Sequence, residues 1–399
     1  MTLTGPVFLW SLGCATLLVF FLVVWHLPRV SGRGVRFALA RALHLAVVNA
    51  LVILTAAVAL NRQFTFFADW TDLRGALSGS APQTRTAVAG ANAAQAARAA
   101  VGGMSAVARR SRQALPRGPG GDRVLRFTLT GHLSGIRDTV LVRLPAGYAA
   151  PENRARRYPV LQTFSGYPGG PEQWLDSMNL GGAIDAAVDR RHMGQVITVS
   201  ANVEVPPHVD TECVNGSGGD PQVETWVSHD VPTWVRTNFR VLPNRDAWAT
   251  IGLSAGGWCA AMITMLHPAQ YSAAIVLGGY FAPDFSPGYR PFRPTSVAAD
   301  RYDLIALARH RPPPVALWVQ TSYSDPVSYS SSARLLAAAT SPMSVHAVVL
   351  NHAGHRISLW KALLPDTLSW LGTNIPGFAP ASPLRHGSDL AAGVRWRRR

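Results

Sequence analysis

Cysteine is scarce: three residues in 399, Cys14, Cys213 and Cys259, too few for a cysteine-rich metal site or a disulfide-stapled scaffold. Close-spaced histidine and carboxylate motifs such as His-Glu-x-x-His are missing as well, so no metal and no organic cofactor is expected. Lysine is nearly absent, Lys361 being the one lysine among 37 basic residues. Acidic residues number 22, which leaves a formal charge of +15. That balance would suit nucleic acid, but the arginines are scattered and no recognition motif or base-stacking module organises them, so no nucleic-acid partner is expected. There is no internal repeat. The opening Met1-Thr-Leu-Thr4 carries no charged side chain, which argues against the basic leader of a cleavable signal peptide.

What the N-terminus has is length and apolarity. Residues 7–27 form an uncharged apolar run, and residues 42–60 a second, interrupted only by His44, Asn49 and Thr55. Each is long enough to cross the hydrocarbon core, so two transmembrane helices are expected, with the lone polar groups as interhelical contacts. Arg29, Arg33, Arg36 and Arg41 cluster between and at the start of the second run. Positive residues stay in the cytoplasm, which puts the rest of the chain on the extracytoplasmic side of a multi-pass membrane protein, with Phe64, Phe66, Phe67 and Trp70 at an outer aromatic belt. Residues 1–70 therefore read as a membrane anchor. Residues 71–122, dominated by Ala, Gly, Ser and Arg, show no sustained period of large apolar residues and read as a flexible linker with room for a helix in its alanine-rich middle. Residues 123–375 read as one α/β domain opened by two alternating strands, 123–130 and 138–144. Residues 376–399 form a Pro/Gly-rich tail that ends basic.

Inside the α/β region, Gly-Leu-Ser-Ala-Gly at residues 252–256 lies between an apolar strand-like run and a helix-like run. This is the pattern of a nucleophile elbow, a turn so tight that small residues must flank the serine. Ser254 is the expected nucleophile. Downstream, Asp325 follows a buried strand-like segment, and His355 follows another at 345–350. The order Ser, Asp, His is that of an α/β-hydrolase triad, with His355 as general base and Asp325 orienting it. His352 is an alternative base, and Asp303 or Asp284 an alternative acid. Oxyanion donors are expected from the backbone N–H of Ala255 and, in the Ser165-Gly-Tyr167 loop, of Tyr167. Cys213 and Cys259 are expected to pair if both lie in an oxidising compartment.

The chain resembles the esterase branch of the α/β-hydrolases that includes the secreted mycolyltransferases of mycobacteria and the S-formylglutathione hydrolases. The resemblance covers roughly residues 124–371 and rests on Tyr158-Pro-Val-Leu161, Ser165-Gly-Tyr167, Val223-Glu-Thr-Trp226, the elbow, His267-Pro-Ala-Gln-Tyr271 and Gly354-His355 with Trp360. It implies a doubly wound α/β-hydrolase sheet and a triad of Ser254, an acid after the next-to-last strand, and His355. Asp325 stands where the mycolyltransferases often carry Glu, and Ser165-Gly-Tyr167 where they carry Asp-Gly-Leu, so trehalose and mycolate specificity does not follow. The expected activity is hydrolysis of a small-molecule or lipid ester. Transfer of the acyl group to an envelope glycolipid or sugar is one alternative, and a non-catalytic envelope or membrane scaffold is another. Residues 168–174, 206–219 and 280–293 are candidate walls of the substrate site, the last rich in aromatic residues.

Overall fold

The computed structural model describes residues 2–30, 32, 34–80, 82–99 and 123–381. Arg33, residues 100–122 of the expected linker and residues 382–399 of the expected tail lie outside the described residues, while the start of that tail packs on the domain through the buried Phe378. Two long helices come first, α1 (Pro6–His26) and α2 (Val35–Phe64). Both are long and apolar enough to cross a membrane, and their most apolar windows are only 6% buried. They meet through polar pairs. The Thr16 and Thr55 hydroxyls lie 2.9 Å apart, and His26 Nδ1 lies 3.2 Å from His44 Nε2.

Beyond α2 the chain turns at Thr65, in left-handed backbone, and enters α3 (Trp70–Ser78), β1 (Thr84–Gly90) and α4 (Ala93–Arg98). Then come β2 (Val124–Thr130), β3 (Arg137–Arg143), β4 (Val160–Phe164), α5 (Leu180–Asp189) and β5 (Ile197–Ala201). Next, α6 (Val223–Thr225) runs through a π turn into α7 (Val231–Asn238), followed by β6 (Trp248–Leu253), α8 (Ala255–Leu266) and β7 (Ala273–Leu277). The chain continues through α9 (Val297–Arg301), α10 (Leu304–His310), β8 (Ala316–Ser322), α11 (Tyr329–Ala338), β9 (Ser344–Leu350) and α12 (Ile357–Asn374).

The described strands form one sheet in the order β2-β3-β5-β4-β6-β7-β8-β9-β1. Strands β5, β4, β6, β7, β8 and β9 are parallel, while β3 is antiparallel to both β2 and β5. Parallel strands covered on both faces must be apolar throughout, and β4, β5, β6, β7 and β8 are buried along their whole length. Two cores result. One gathers Trp258 and Met262 of α8 with Leu304 and Leu335, and the other packs Ala249, Ile251 and Leu253 of β6 against Ile184 of α5 and Leu368 of α12. Helix α8 is buried from Ala255 to Met265, which explains why its sequence is apolar on every side. Among the buried polar groups of the sheet, Gln162 donates to Val227 O and accepts from Tyr271 Oη, at 2.8 and 2.6 Å.

The expectation of a flexible linker fails for its described part. Strand β1 adds to the sheet edge antiparallel to β9, from Thr84 opposite Leu350 to Gly90 opposite Ser344. In α4, Ala93, Ala96 and Ala97 are buried in the second core. The physical reason is Arg245. Its guanidinium donates to Ala97 O at 2.5 Å, Pro314 O at 2.7 Å and Tyr271 O at 3.0 Å, and its Nε to Pro268 O at 2.5 Å. One cation thus ties α4 to two loops at the base of the sheet, the one before β7 and the one before β8. Replacing it strands several buried carbonyls, so Arg245→Met is expected to lower the unfolding free energy by about 2–5 kcal/mol. Chemical denaturation monitored by tryptophan fluorescence will show this, and an unchanged midpoint would reject the tie.

Candidate active site

Ser254 sits between β6 and α8 with φ 55° and ψ −125°. The turn permits no bulk: a Cβ on Gly252 would lie 1.8 Å from Gly256 O, and one on Gly256 2.1 Å from Phe164 O. Asp325 lies in the loop after β8, and His355 between β9 and α12. All three side chains therefore emerge at the carboxyl end of the parallel sheet, where open α/β sheets place their sites. His355 Nε2 is 2.8 Å from Ser254 Oγ, and His355 Nδ1 is 3.0 Å from Asp325 Oδ2. The imidazole is fixed by Trp360, whose ring meets it edge-on at 4.8 Å and whose Nε1 donates to Gln320 Oε1 at 3.0 Å.

Asp325 is 2% exposed. Burial pushes its carboxyl up, but the hydrogen bond and charge of His355, with the Ser328 hydroxyl at 2.6 Å and the Val327 N–H at 3.0 Å, hold it below the usual aspartate value. It is thus an anion aimed at a histidine.

The alternatives do not converge on this point. His352 binds Asp69 through Nδ1 at 2.6 Å, Asp303 caps α10 by accepting from Ala306 N–H, and the Asp284 backbone N–H donates to Glu212. Tyr167 and Ala255, the expected oxyanion donors, line one cleft with Gly166, Asp210 and Cys213. Gly166 is pressed against the elbow, where an added Cβ would lie 3.3 Å from Ser254 Cβ.

Cys213 and Cys259 form a disulfide with Cα atoms 5.7 Å apart, fastening the 206–219 segment to α8. That segment does reach the cleft. The aromatic segment 280–293 behaves otherwise: Phe281 is fully buried, Phe285 and Phe292 pack against the core, and Phe292 stacks on Tyr302. Its aromatics serve the fold because their neighbours are core side chains.

Asp210 and Glu212, the polar residues of the expected 206–219 wall, form a carboxylate cluster beside the cleft whose burial the sequence did not announce. Glu212, fully buried, accepts from Tyr280 Oη and the Asp284 N–H. Burial first, then the Asp210 charge, raises its carboxyl well above the glutamate range, while burial lifts Asp210 to about 6. Glu224, from the motif at 223–226, is the opposite case. Burial pushes it up, but His267 at 2.7 Å, Arg301 and the Tyr302 hydroxyl at 2.6 Å bring it down to about 2.

A family model described as Putative esterase matches residues 134–371. The chain belongs to this esterase family. The fold is the α/β-hydrolase fold of that family. An uncharacterised protein of Corynebacterium glutamicum is 27% identical over 237 residues, which are 55% of this chain and 54% of the relative. The chain thus matches about half the length of that relative. Among solved structures, a ferulic acid esterase superposes with TM-score 0.53 at 18% identity, covering 63% of this chain and 97% of its own. The S-formylglutathione hydrolase of Agrobacterium tumefaciens gives 0.53 at 14%, covering 65% and 98%. The Staphylococcus aureus fluorophosphonate-binding serine hydrolase F gives 0.51 at 14%, covering 63% and 99%. At such identities these likenesses speak for the fold.

A carboxyl whose folded pKa is raised lends its full stability below its unfolded value, and loses it as pH climbs toward the folded value. Glu212→Gln, neutral at every pH and able to accept the same two bonds, should therefore match the parent in thermal unfolding near pH 4, below the ordinary glutamate value of 4.5, and exceed it at about pH 8. A difference that does not vary with pH would contradict a neutral buried Glu212.

Proposed function

We propose that the chain is a membrane-anchored serine esterase whose catalytic domain faces the extracytoplasmic side and whose acyl-enzyme forms on Ser254. The observation that carries this reading is the unbroken hydrogen-bond chain from Ser254 Oγ through His355 to Asp325, at 2.8 and 3.0 Å, set at a nucleophile elbow. Asp325 accepts from His355 Nδ1–H, which leaves the Nε2 lone pair toward the serine hydroxyl. As Oγ attacks the ester carbonyl, its proton passes to Nε2, and the imidazolium that forms is stabilised by the Asp325 carboxylate. The tetrahedral oxyanion is met by the Ala255 and Tyr167 backbone N–H groups, the former at the positive end of α8. Collapse expels the alcohol, which takes the proton from Nε2. Water then repeats the sequence on the acyl-enzyme and releases the acid.

Two apolar helices followed by the domain, with arginines between the helices, support the anchor and its orientation. A disulfide on the same domain accords with an oxidising compartment.

Ser254→Ala should lower kcat for a short p-nitrophenyl ester by about four to six orders of magnitude without changing thermal stability, and His355→Ala should be comparably severe. His352→Ala, bonded to Asp69 and not to the serine, should stay within about tenfold. Equal activity in Ser254→Ala rules the mechanism out. Should an added sugar or glycolipid divert most of the acyl group into a new ester, the enzyme is a transferase.

A further inference from the structure

The loop that carries His355 is bonded to the chain where it leaves α2. His355 N–H donates to Thr65 O and Gly354 N–H to Asp72 Oδ2, both at 2.8 Å. Arg356 donates to Phe66 O at 3.1 Å and pairs with both Asp72 oxygens at 2.8 and 2.7 Å, its guanidinium lying over the Phe67 ring. The fit is close, since a Cβ on Gly354 would lie 2.2 Å from Phe66 O. There is no slack on the helix side either. Asn61, in the last turn of α2, clasps Phe67 by donating to its carbonyl at 2.9 Å and accepting its N–H at 2.7 Å.

These bonds fix a height. The apolar run of α2 ends at Leu60, about the length a hydrocarbon core of roughly 30 Å requires. Asn61, Arg62 and Gln63 follow, polar residues suited to the headgroup layer. At about 1.5 Å per residue, Thr65 stands only about 8 Å above the hydrocarbon boundary, and helix tilt brings it lower. The headgroup layer is itself roughly 5–7 Å deep on each side. The backbone of His355, in direct contact with Thr65, is therefore at the headgroup surface. On the loops that carry the site, Tyr167, Tyr323 and Val327 are exposed, as are Phe66 and Trp70 on the segment leaving α2. Apolar surface of this kind is costly in water and favourable against lipid.

We propose that the active site opens into the headgroup layer of the bilayer that α1 and α2 cross, and that its substrate is a lipid ester drawn from the adjacent leaflet. The inference rests on the esterase and anchor readings above. A lipid carries its ester linkages at the boundary between acyl chains and headgroup, so it need rise by only about one headgroup layer to bring a carbonyl to Ser254, its chains staying largely in the hydrocarbon.

The test uses the full chain reconstituted in phosphatidylglycerol vesicles, with methylumbelliferyl oleate dissolved in the same vesicles and p-nitrophenyl butyrate in the water. A Gly/Ser spacer of about twelve residues between Leu60 and Asn61 lifts the domain by roughly 20 Å while keeping the Asn61–Phe67 clasp and every contact to the His355 loop. Fluorophosphonate labelling of Ser254 and butyrate turnover should stay within about twofold of the parent, whereas oleate turnover should fall by about tenfold or more as the effective substrate concentration drops. Undiminished oleate turnover in the spacer variant overturns the proposal. A parent that neither labels nor turns over butyrate fails at the esterase reading instead. If the spacer variant does not fold, the parent decides: a fluorescent fluorophosphonate on Ser254 should be quenched by lipids bearing a headgroup nitroxide, and an unquenched dye overturns the proposal.

Discussion

The tight turn at Ser254 is the constraint on which the rest depends. A serine with φ 55° and ψ −125° occupies backbone space that costs of order 1–3 kcal/mol and persists only where its surroundings leave no alternative. Here the surroundings are backbone. Gly252 meets Gly256 O, and Gly256 meets Phe164 O and Ser165 O, so β6, α8 and the loop after β4 are wedged together at the one point where all three must pass. A buried helix and a fully buried strand follow from this, because only a rigid two-sided core can hold such a turn. The same wedge brings Gly166 against the serine, in the cleft that Tyr167 and Ala255 also line.

The candidate site was legible in the sequence because each of its members is announced locally. A strand-turn-helix pattern surrounds Ser254, and buried β-rich runs precede Asp325 and His355, so the topology rule for parallel sheets converts three sequence positions into one edge. His355 and Asp325 could be preferred from their places after buried strands, but setting aside His352, Asp303 and Asp284 needed side-chain partners that no spacing encodes. Strand β1 escaped notice for a different reason. Thr-Arg-Thr-Ala-Val-Ala-Gly has one large apolar residue, Val88, which stays exposed at the edge, so periodicity has nothing to report. The alanines of α4 are equally mute, since alanine suits a solvated stalk and a packed interface alike, and here Arg245, about 150 positions away, decides between them.

Aromatic content misled for a related reason. Phe281, Phe285 and Phe292 carry the same composition whether they line a lipid pocket or fill a core, and the distinction lies in partners such as Tyr302, stacked on Phe292, and Ser331, which accepts the Phe281 N–H. The clasp between residues 65–72 and the His355 loop was invisible because most of its acceptors are carbonyls or a single aspartate, groups without a sequence signature. Only Gly354 hints at it, and only once Phe66 O is seen where its side chain would be.

A carboxylate cluster next to a proposed oxyanion site poses an electrostatic problem. Negative charge beside a developing oxyanion opposes the reaction, and the opposition grows as water is excluded. The protein meets this by burial. Glu212 is enclosed beside Tyr280 and the disulfide, where desolvation and the neighbouring Asp210 favour its neutral form, and Asp210 itself is lifted to about 6. Asp325 is buried to a similar degree yet stays anionic, since it has a histidine to hold, a hydroxyl and a backbone N–H. Hydrogen-bond donors thus separate the two carboxylates: the one supplied with several keeps its charge for the imidazole, and Glu212, left with one oxygen unpartnered, gives its charge up. Burial thus takes one charge out of the cluster, while Asp210, lifted only to about 6, still ionises at neutral pH.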